Sequence, residues 1–324
     1  MVVVASLARN RSSLAVGNVI GSAISNILGA FSIGLLTHKQ GIDFDKSSKI
    51  YSVLLLLITT LVAPLTYFPK RNLWLAFGSI LLALFVIYVA SVAWAISRGS
   101  ITAPEGSDDD SSGDDSSSDG DANEHADESA SGVQRRSRAQ NESSPPDAQG
   151  RIEMSSEPPV SAVPSLQRKR HKLSYHVAFL FLGFLAICLA GYVLSHAATT
   201  VTDQFGISDV LFGIVILSLA TTLPEKFIAV LSGYRGHSGI LVANTVGSNI
   251  FLLTLCMGII MVQTEGKFNA GTVKIAELCV MWGSTLAFTL TIWLGGKWSR
   301  WIGGLMLIGY IVFIILEFTV IHRV

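Results

Sequence analysis

Charged residues are scarce in this chain, and those present are unevenly distributed. Only 14% of the 324 residues are Asp, Glu, Lys or Arg, whereas 50% are hydrophobic, and the mean hydropathy is +0.52. An average soluble domain carries about 25% charged residues, so this composition predicts an integral membrane protein surrounded by a lipid bilayer. The sequence also lacks a nucleotide-binding loop, a catalytic triad and a basic nucleic-acid patch. We therefore expect a protein that is not an enzyme, uses no cofactor and binds no nucleic acid.

Cysteine is nearly absent as well. Cys188, Cys256 and Cys279 each lie within an apolar run, and their spacing is not that of metal ligands. This argues against a disulfide framework and against a zinc site. We expect the three thiols to be small core residues.

Long apolar runs account for most of the chain. Each is long enough to cross a hydrocarbon core of about 30 Å as a helix. The runs are at about Leu14–Leu36, Ile50–Phe68, Leu73–Ser97, Tyr175–Val201, Ile207–Ser232, Gly239–Val262, Thr272–Leu294 and Trp301–Ile321. The predicted fold class is all-α, a polytopic membrane protein with about eight spanning helices.

The charged residues are concentrated between the third and fourth runs. Residues 98–173 are acidic and rich in serine, a composition that cannot bury enough apolar surface to fold, so we expect a disordered linker. Its basic end, Arg168 to Lys172, abuts the next run and is typical of a cytoplasmic loop. The predicted organisation is a membrane segment over 1–97, a cytosolic linker over 98–173 and a second membrane segment over 174–324. The sequence does not indicate which membrane holds the protein.

The two membrane segments contain related sequences. Val16–Ile24, which includes Gly21-Ser22, aligns without gaps with Val242–Ile250, which includes Gly247-Ser248. The two copies are five spans apart and therefore cross the membrane in opposite directions, as in the inverted repeats of many secondary transporters. In the same register the counterpart of Glu225 falls just before Met1, so we expect the first repeat to be incomplete at its N-terminus.

Glu225 is the main candidate functional residue. It lies in an apolar run directly after Pro224, where a charge costs about 2.5 to 3.5 kcal/mol on insertion scales, and intramembrane acids usually mark an ion or substrate path. Helical spacing places Ser218, Thr221 and Thr222 on the same face, and Pro224 frees carbonyl oxygens in the preceding turn. Such hard oxygens are the ligands preferred by calcium and sodium.

The two helices with the Gly-Ser motif are expected to complete this site, because calcium takes about 6 to 8 oxygens. Their glycines, Gly21 and Gly247, permit close approach of backbones. Their candidate oxygens belong to Ser22, Asn26, Asn244 and Ser248. Structural alternatives remain: Glu225 could pair with Lys226, the threonines could bond to their own helix, and the Gly-Ser residues could serve helix packing.

Three further charged residues lie within the apolar runs. Lys274 and Glu317 are near span ends, where a long side chain can snorkel to the interface. Glu277 lies deeper, and Lys274 shares its helical face. We expect Lys274 and Glu317 to be structural and keep Glu277 as a weaker transport candidate.

These motifs resemble those of the cation/calcium exchanger superfamily, the sodium/calcium exchanger-like antiporters. Ala220 to Glu225 is similar to the family's G-T-S-x-P-E segment, and both Gly-Ser motifs are similar to its N-x-x-G-S-N helices. The resemblance implies an inverted-repeat exchanger fold that moves calcium against another cation by alternating access. The metal ligands it implies are Thr221, Thr222, Glu225, Ser22, Asn26 and Ser248. The chain departs from the pattern at Ala23 and Leu252, where an oxygen-bearing residue is usual.

The leading hypothesis is therefore a secondary antiporter of calcium or a related cation, with sodium, potassium or protons as the counter-ion. The missing start of the first repeat leaves a second hypothesis open, a non-transporting product that associates with or regulates a full-length exchanger. A cation channel is the third. Self-association is also left open.

Overall fold

A computed structural model describes residues 2–38, 44–68, 70–98, 173–265, 273–294, 296 and 298–321. Apart from its two end residues, the predicted linker over 98–173 lies outside the described residues, so the prediction of disorder there remains a prediction.

The described residues are organised as helices whose limits follow the apolar runs. In chain order they are α1 (Val2–Ala8), α2 (Ser12–Thr37), α3 (Lys46–Tyr67), α4 (Arg71–Ser97), α5 (Leu173–Phe205), α6 (Asp209–Thr221), α7 (Leu223–Arg235), α8 (Ser238–Thr264), α9 (Ile275–Leu294) and α10 (Ser299–Ile321). Seven of the described helices are long and apolar enough to cross a membrane, and the number rises to eight when α6 and α7, which are bent by 48° at their break, are counted together as one span. The predicted all-α fold with about eight spans is confirmed.

The internal repeat extends well beyond the sequence motif. Helices α2 and α8 begin at equivalent positions of the repeat. Each contains a π-helical turn, at Ser25–Phe31 in α2 and at Phe251–Cys256 in α8, and these two turns also begin at equivalent positions. Just before each helix, the equivalent residues Asn10 and Gly236 hold a left-handed backbone with φ of 60° and 79°, a conformation that glycine and asparagine tolerate best. The two repeats therefore share local backbone geometry as well as sequence.

The two repeats meet at equivalent residues. Thr59 on α3 and Thr285 on α9 occupy the same position of the repeat, and their hydroxyl oxygens lie 3.5 Å from each other. Equivalent residues that touch must lie near the axis that relates the repeats. This is the arrangement expected when repeats face each other within one bundle.

Helix α2 lies at the centre of the bundle. In the apolar 18-residue stretch of α2, 89% is buried inside the protein, compared with 11% in the corresponding stretches of α4 and α5. Gly21 lets α2 approach the π-helical turn of α6, because a Cβ at this position would lie 2.7 Å from the carbonyl carbon of Ile214. A Cβ at Gly247, its repeat equivalent on α8, would meet no described atom within 4 Å. The expected close approach is confirmed at Gly21 and is wrong at Gly247.

Candidate functional site

A break between α6 and α7 positions the predicted acid. Thr222 leaves helical geometry with φ −102° and ψ 11°, and Pro224 lies in the first turn of α7. Proline is tolerated there because the first N–H groups of a helix have no intrahelical partner. The resulting bend brings Thr221, Thr222 and Glu225 to one place inside the bundle.

These residues line a cavity of about 200 Å³ between α1, α2, α8 and the α6–α7 break. Every metal ligand implied by the family resemblance lies in its wall. The lining residues are Val2, Val3, Asn18, Ser22, Asn26, Thr221, Thr222, Glu225, Ser248, Phe251, Leu252 and Cys256. Side chains from distant parts of the sequence therefore meet around one space.

Hydrogen bonds between helices hold the polar side of the cavity together. Asn26 Nδ2 donates to Ser248 Oγ at 3.0 Å, which joins α2 to α8. Thr221 Oγ1 donates to Asn18 Oδ1 at 3.2 Å and lies 3.3 Å from Ser22 Oγ, which joins α6 to α2. Both Gly-Ser helices thus contribute to the site, as the sequence predicts.

Two residues of the lining each have a buried oxygen atom that lacks a hydrogen-bond donor. Glu225 Oε2 and Asn26 Oδ1 are buried, and neither accepts a hydrogen bond from the part of the chain that the structure describes. Leaving such an acceptor unsatisfied costs about 1 to 3 kcal/mol, and more for a charged group. Both atoms belong to residues that line the cavity.

The site is built from one carboxylate and neutral oxygens. Among the described residues, no group of three or more His, Cys, Asp or Glu side chains could hold a metal ion. Among the described residues that line the cavity, Glu225 is the only one that bears an ionisable oxygen. Carboxylate, amide and hydroxyl oxygens suit hard cations such as calcium or sodium and do not suit zinc or copper.

Lys226 does not neutralise Glu225 by direct contact. Its Nζ donates to Thr222 Oγ1 at 2.6 Å and to Ser25 Oγ at 2.8 Å. It forms no ion pair with a carboxylate within the described part of the chain. Adjacent helix residues point in different directions, so the structural alternative in which Glu225 pairs with Lys226 is not supported.

Sequence comparison agrees with this geometry. The family model for the sodium/calcium exchanger protein matches residues 1–94 and 175–319, which is most of the chain. The chain belongs to the sodium/calcium exchanger family. CaxA of Alkalimonas amylolytica is 30% identical over 122 residues, which is 38% of each chain. The inner membrane protein YrbG of Escherichia coli is 29% identical over 141 residues, 43% of each chain.

Human sodium/potassium/calcium exchanger 4 is 28% identical over 171 residues, 49% of this chain and 27% of its own. The chain thus spans less than half the length of the curated relatives it matches. Solved structures of YfkE and of the sodium-calcium exchanger NCX_Mj superpose with TM-scores of 0.60 and 0.55, at 14% and 18% identity. They cover 98% and 96% of this chain, and 78% of each of those chains. These superpositions confirm the exchanger fold.

This exchanger-family chain uses residues that sequence reasoning did not select. Asn18 lines the cavity and accepts from Thr221, and its position one turn before Ser22 could have indicated this. Ser25 and Tyr310 form a hydrogen bond of 2.9 Å beside the cavity. Ser25 has Phe251 as its repeat equivalent, so the repeat gave no signal for it. Asn244, which we expect from the sequence to offer a ligand oxygen, is not among the cavity-lining residues.

One departure from the family pattern has a visible effect in this exchanger fold. Leu252, the repeat equivalent of Asn26, lines the same cavity and offers only methyl groups. The Asn26–Ser248 hydrogen bond therefore has no equivalent between Leu252 and Ser22. The lining therefore contains an apolar set of residues and an oxygen-bearing set, which we call the oxygen-rich wall: Asn18, Ser22, Asn26, Thr221, Thr222, Glu225 and Ser248.

The remaining intramembrane charges of this family member lie outside the cavity. Glu317 and Glu277 are both 0% exposed, so the expected snorkelling of Glu317 is wrong. Glu277 Oε2 accepts the backbone N–H of Lys274 at 3.1 Å. Neither acid is among the residues that line the cavity.

Proposed function

We propose that this chain forms the cation site of a secondary antiporter that exchanges calcium, or a related cation, for a second cation across a membrane. The observation that carries the proposal is a pair of unsatisfied buried acceptors, Glu225 Oε2 and Asn26 Oδ1, on two residues that line one cavity. Membership in the exchanger family supports it. Sodium, potassium and protons all remain candidates for the counter-ion.

Five residues of the oxygen-rich wall have a role in this proposal. Glu225 supplies the negative charge that offsets the dehydration of a divalent ion. Asn26 and Ser248 would coordinate together, since their hydrogen bond already sets their relative positions at 3.0 Å. Ser22 and Thr221 would complete the oxygen shell with water molecules.

Alternating access would come from the break at Thr222. The carboxylate on α7 and the hydroxyl of Thr221 on α6 lie on opposite sides of the 48° bend. A change in that bend would move Glu225 relative to Asn26 and Ser248 on the other helices. Discontinuous helices near the midplane are the usual ion-binding elements of secondary transporters.

The proposal is tested by calcium flux into proteoliposomes that contain the purified protein and an opposing gradient of sodium, potassium or protons. Glu225→Ala and Glu225→Gln should each lower the rate at least about tenfold, because both remove the charge that offsets ion dehydration. Glu265→Gln is a matched control, since Glu265 pairs with Arg71 at the surface. Undiminished flux in Glu225→Ala would contradict the proposal, and flux without any counter-ion would identify a channel.

A further inference from the structure

A second polar cluster lies directly beside the cavity and is not explained by calcium binding. It consists of Ser25 on α2, Thr222 at the break, Lys226 on α7 and Tyr310 on α10, and we refer to these four residues as the lysine cage. Lys226 Nζ lies 2.6 Å from Thr222 Oγ1 and 2.8 Å from Ser25 Oγ. Tyr310 donates its phenolic hydrogen to Ser25 Oγ at 2.9 Å. Thr222 belongs to both the cage and the cavity wall.

All of the hydrogen bonds that the ammonium group makes with the described residues are to neutral oxygens. In addition to the two hydroxyls, it makes a longer contact of 3.5 Å with the carbonyl oxygen of Thr222. Its three hydrogens therefore have three acceptors, and no carboxylate in the described residues pairs with it. Removing an ammonium from water is costly unless it is paired or coordinated. Coordination by hydroxyl and carbonyl oxygens is what a dehydrated monovalent cation would require at the same place.

The hydroxyls of Ser25 and Thr222 have no capacity left for another cation. A hydroxyl has one hydrogen and two lone pairs. Thr222 Oγ1 donates to the carbonyl of Ser218 at 2.7 Å, so its lone pairs are taken by Lys226 and by Ser25 at 3.0 Å. Ser25 Oγ donates to Thr222 and accepts from Lys226 and Tyr310. While Lys226 is in place, Thr222 contributes no free hydroxyl oxygen to the cavity.

We propose that the Lys226 ammonium is a built-in monovalent cation, which occupies the position on Ser25 and Thr222 that a sodium or potassium ion would otherwise take. This inference extends the proposed exchange function and rests on it for its role in transport. Replacement of Lys226 by a neutral side chain should empty the position and leave Ser25 and Thr222 with free lone pairs. The variant should then bind one monovalent cation more than the wild-type protein.

The test is the thermal stability of the purified protein in detergent, measured without any divalent cation, in choline, sodium and potassium chloride. In Lys226→Met, replacing choline by sodium or potassium should raise the Tm by at least about 3 °C more than it does in the wild type, because a ligand that binds only the folded state stabilises it. Lys226→Arg retains the charge and should behave like the wild type. Lys46→Met is a control for loss of a lysine at the exposed start of α3.

A double variant locates the new site. In Lys226→Met combined with Ser25→Ala, one of the cage oxygens is lost and the additional sodium or potassium effect should disappear. An equal salt response in Lys226→Met and wild type, or a response that persists without Ser25, would overturn the proposal. The proposal is supported if Lys226→Met folds in sodium or potassium chloride but not in choline chloride. The proposal is wrong if neither Lys226→Met nor Lys226→Gln folds in any of these three salts. Since no transport is measured, this outcome is independent of the Glu225 flux assay.

Discussion

Individual oxygen atoms distinguish the two parts of the site. Glu225 Oε2 and Asn26 Oδ1 accept no hydrogen bond from the described residues, whereas Thr222 Oγ1 and Ser25 Oγ are fully engaged by neighbouring groups. Neighbouring residues of one motif, such as Thr222 and Glu225, therefore differ in their capacity to bind an ion. Residue type alone does not reveal this difference, because it depends on the partners that the fold supplies.

The two repeat-equivalent glycines give a prediction at the residue scale. Gly21→Ala should lower the Tm by several degrees, because its Cβ would overlap the backbone of Ile214 and overpacking typically costs about 1 to 3 kcal/mol. Gly247→Ala should leave the Tm unchanged or raise it slightly, since its Cβ meets open space and alanine favours a helix by about 1 kcal/mol over glycine. Thermal denaturation in detergent compares the two, and equal losses would show that the packing around α2 is wrongly described.

Much of the candidate site could be predicted from the sequence. Glu225 stands out as a carboxylate in an apolar run, and the repeat identifies Ser22 and Ser248 together. Tyr310 could not be predicted, because it meets Ser25 across 285 residues and a tyrosine in an apolar helix is ordinarily a packing residue. The different surroundings of Gly21 and Gly247 also depend on which helix packs against each, and sequence similarity between repeats carries no such information.

At the scale of elements, the broken helix is the feature on which the site depends. Pro224 indicates the break in the sequence, and the apolar runs give the positions of the eight spans to within a few residues. The π-helical turns could not be predicted in this way, since they have the same apolar composition as the α-helix around them. They recur at equivalent positions of α2 and α8, so the repeat conserves a distortion of the backbone as well as the motif.

The break can be tested by restoring the missing backbone hydrogen-bond donor. Pro224→Ala should favour a straighter α6–α7 and move Glu225 away from Asn26, which should weaken calcium binding about tenfold, or about 1.4 kcal/mol. Pro64→Ala is the matched control, because Pro64 lies inside α3 at an exposed position away from the cavity lining. Isothermal titration with calcium measures both. An unchanged calcium affinity in Pro224→Ala would show that calcium binding does not depend on the bend.

At the scale of the whole molecule, Arg11 links the start of the first Gly-Ser helix to two elements of the second membrane segment. Its guanidinium donates to Asp203 at 2.6 and 2.8 Å and to Asp209 at 3.2 and 3.4 Å. The hydrogen bond to Asp203 and the charge of Asp209 raise the pKa of Arg11 above its usual value. This cluster joins α2 to the end of α5 and the start of α6.

Breaking this link should destabilise the protein more than breaking an isolated surface pair. Arg11→Met should lower the Tm by about 3 °C or more, because it removes several charge-assisted hydrogen bonds at once. Arg71→Met removes a single ion pair with Glu265. The side chains of Arg71 and Glu265 are 67% and 40% exposed, so this variant should change the Tm by no more than about 1 °C. Thermal denaturation in low and high salt checks both variants. Similar losses in the two would show that the Arg11 cluster is no stronger than an ordinary surface ion pair.

The adjacency of Glu225 and Lys226 also sets the electrical behaviour expected of a transport cycle. With no ion bound, the carboxylate and the ammonium sum to zero charge, and with a divalent cation bound the site carries two positive charges. A membrane potential performs about 2.3 kcal/mol of work per elementary charge for each 100 mV. Voltage should therefore drive the loaded site toward the negative side of the membrane and leave the movement of an empty site nearly unaffected, so that a membrane potential should accelerate the calcium-carrying step of the exchange cycle.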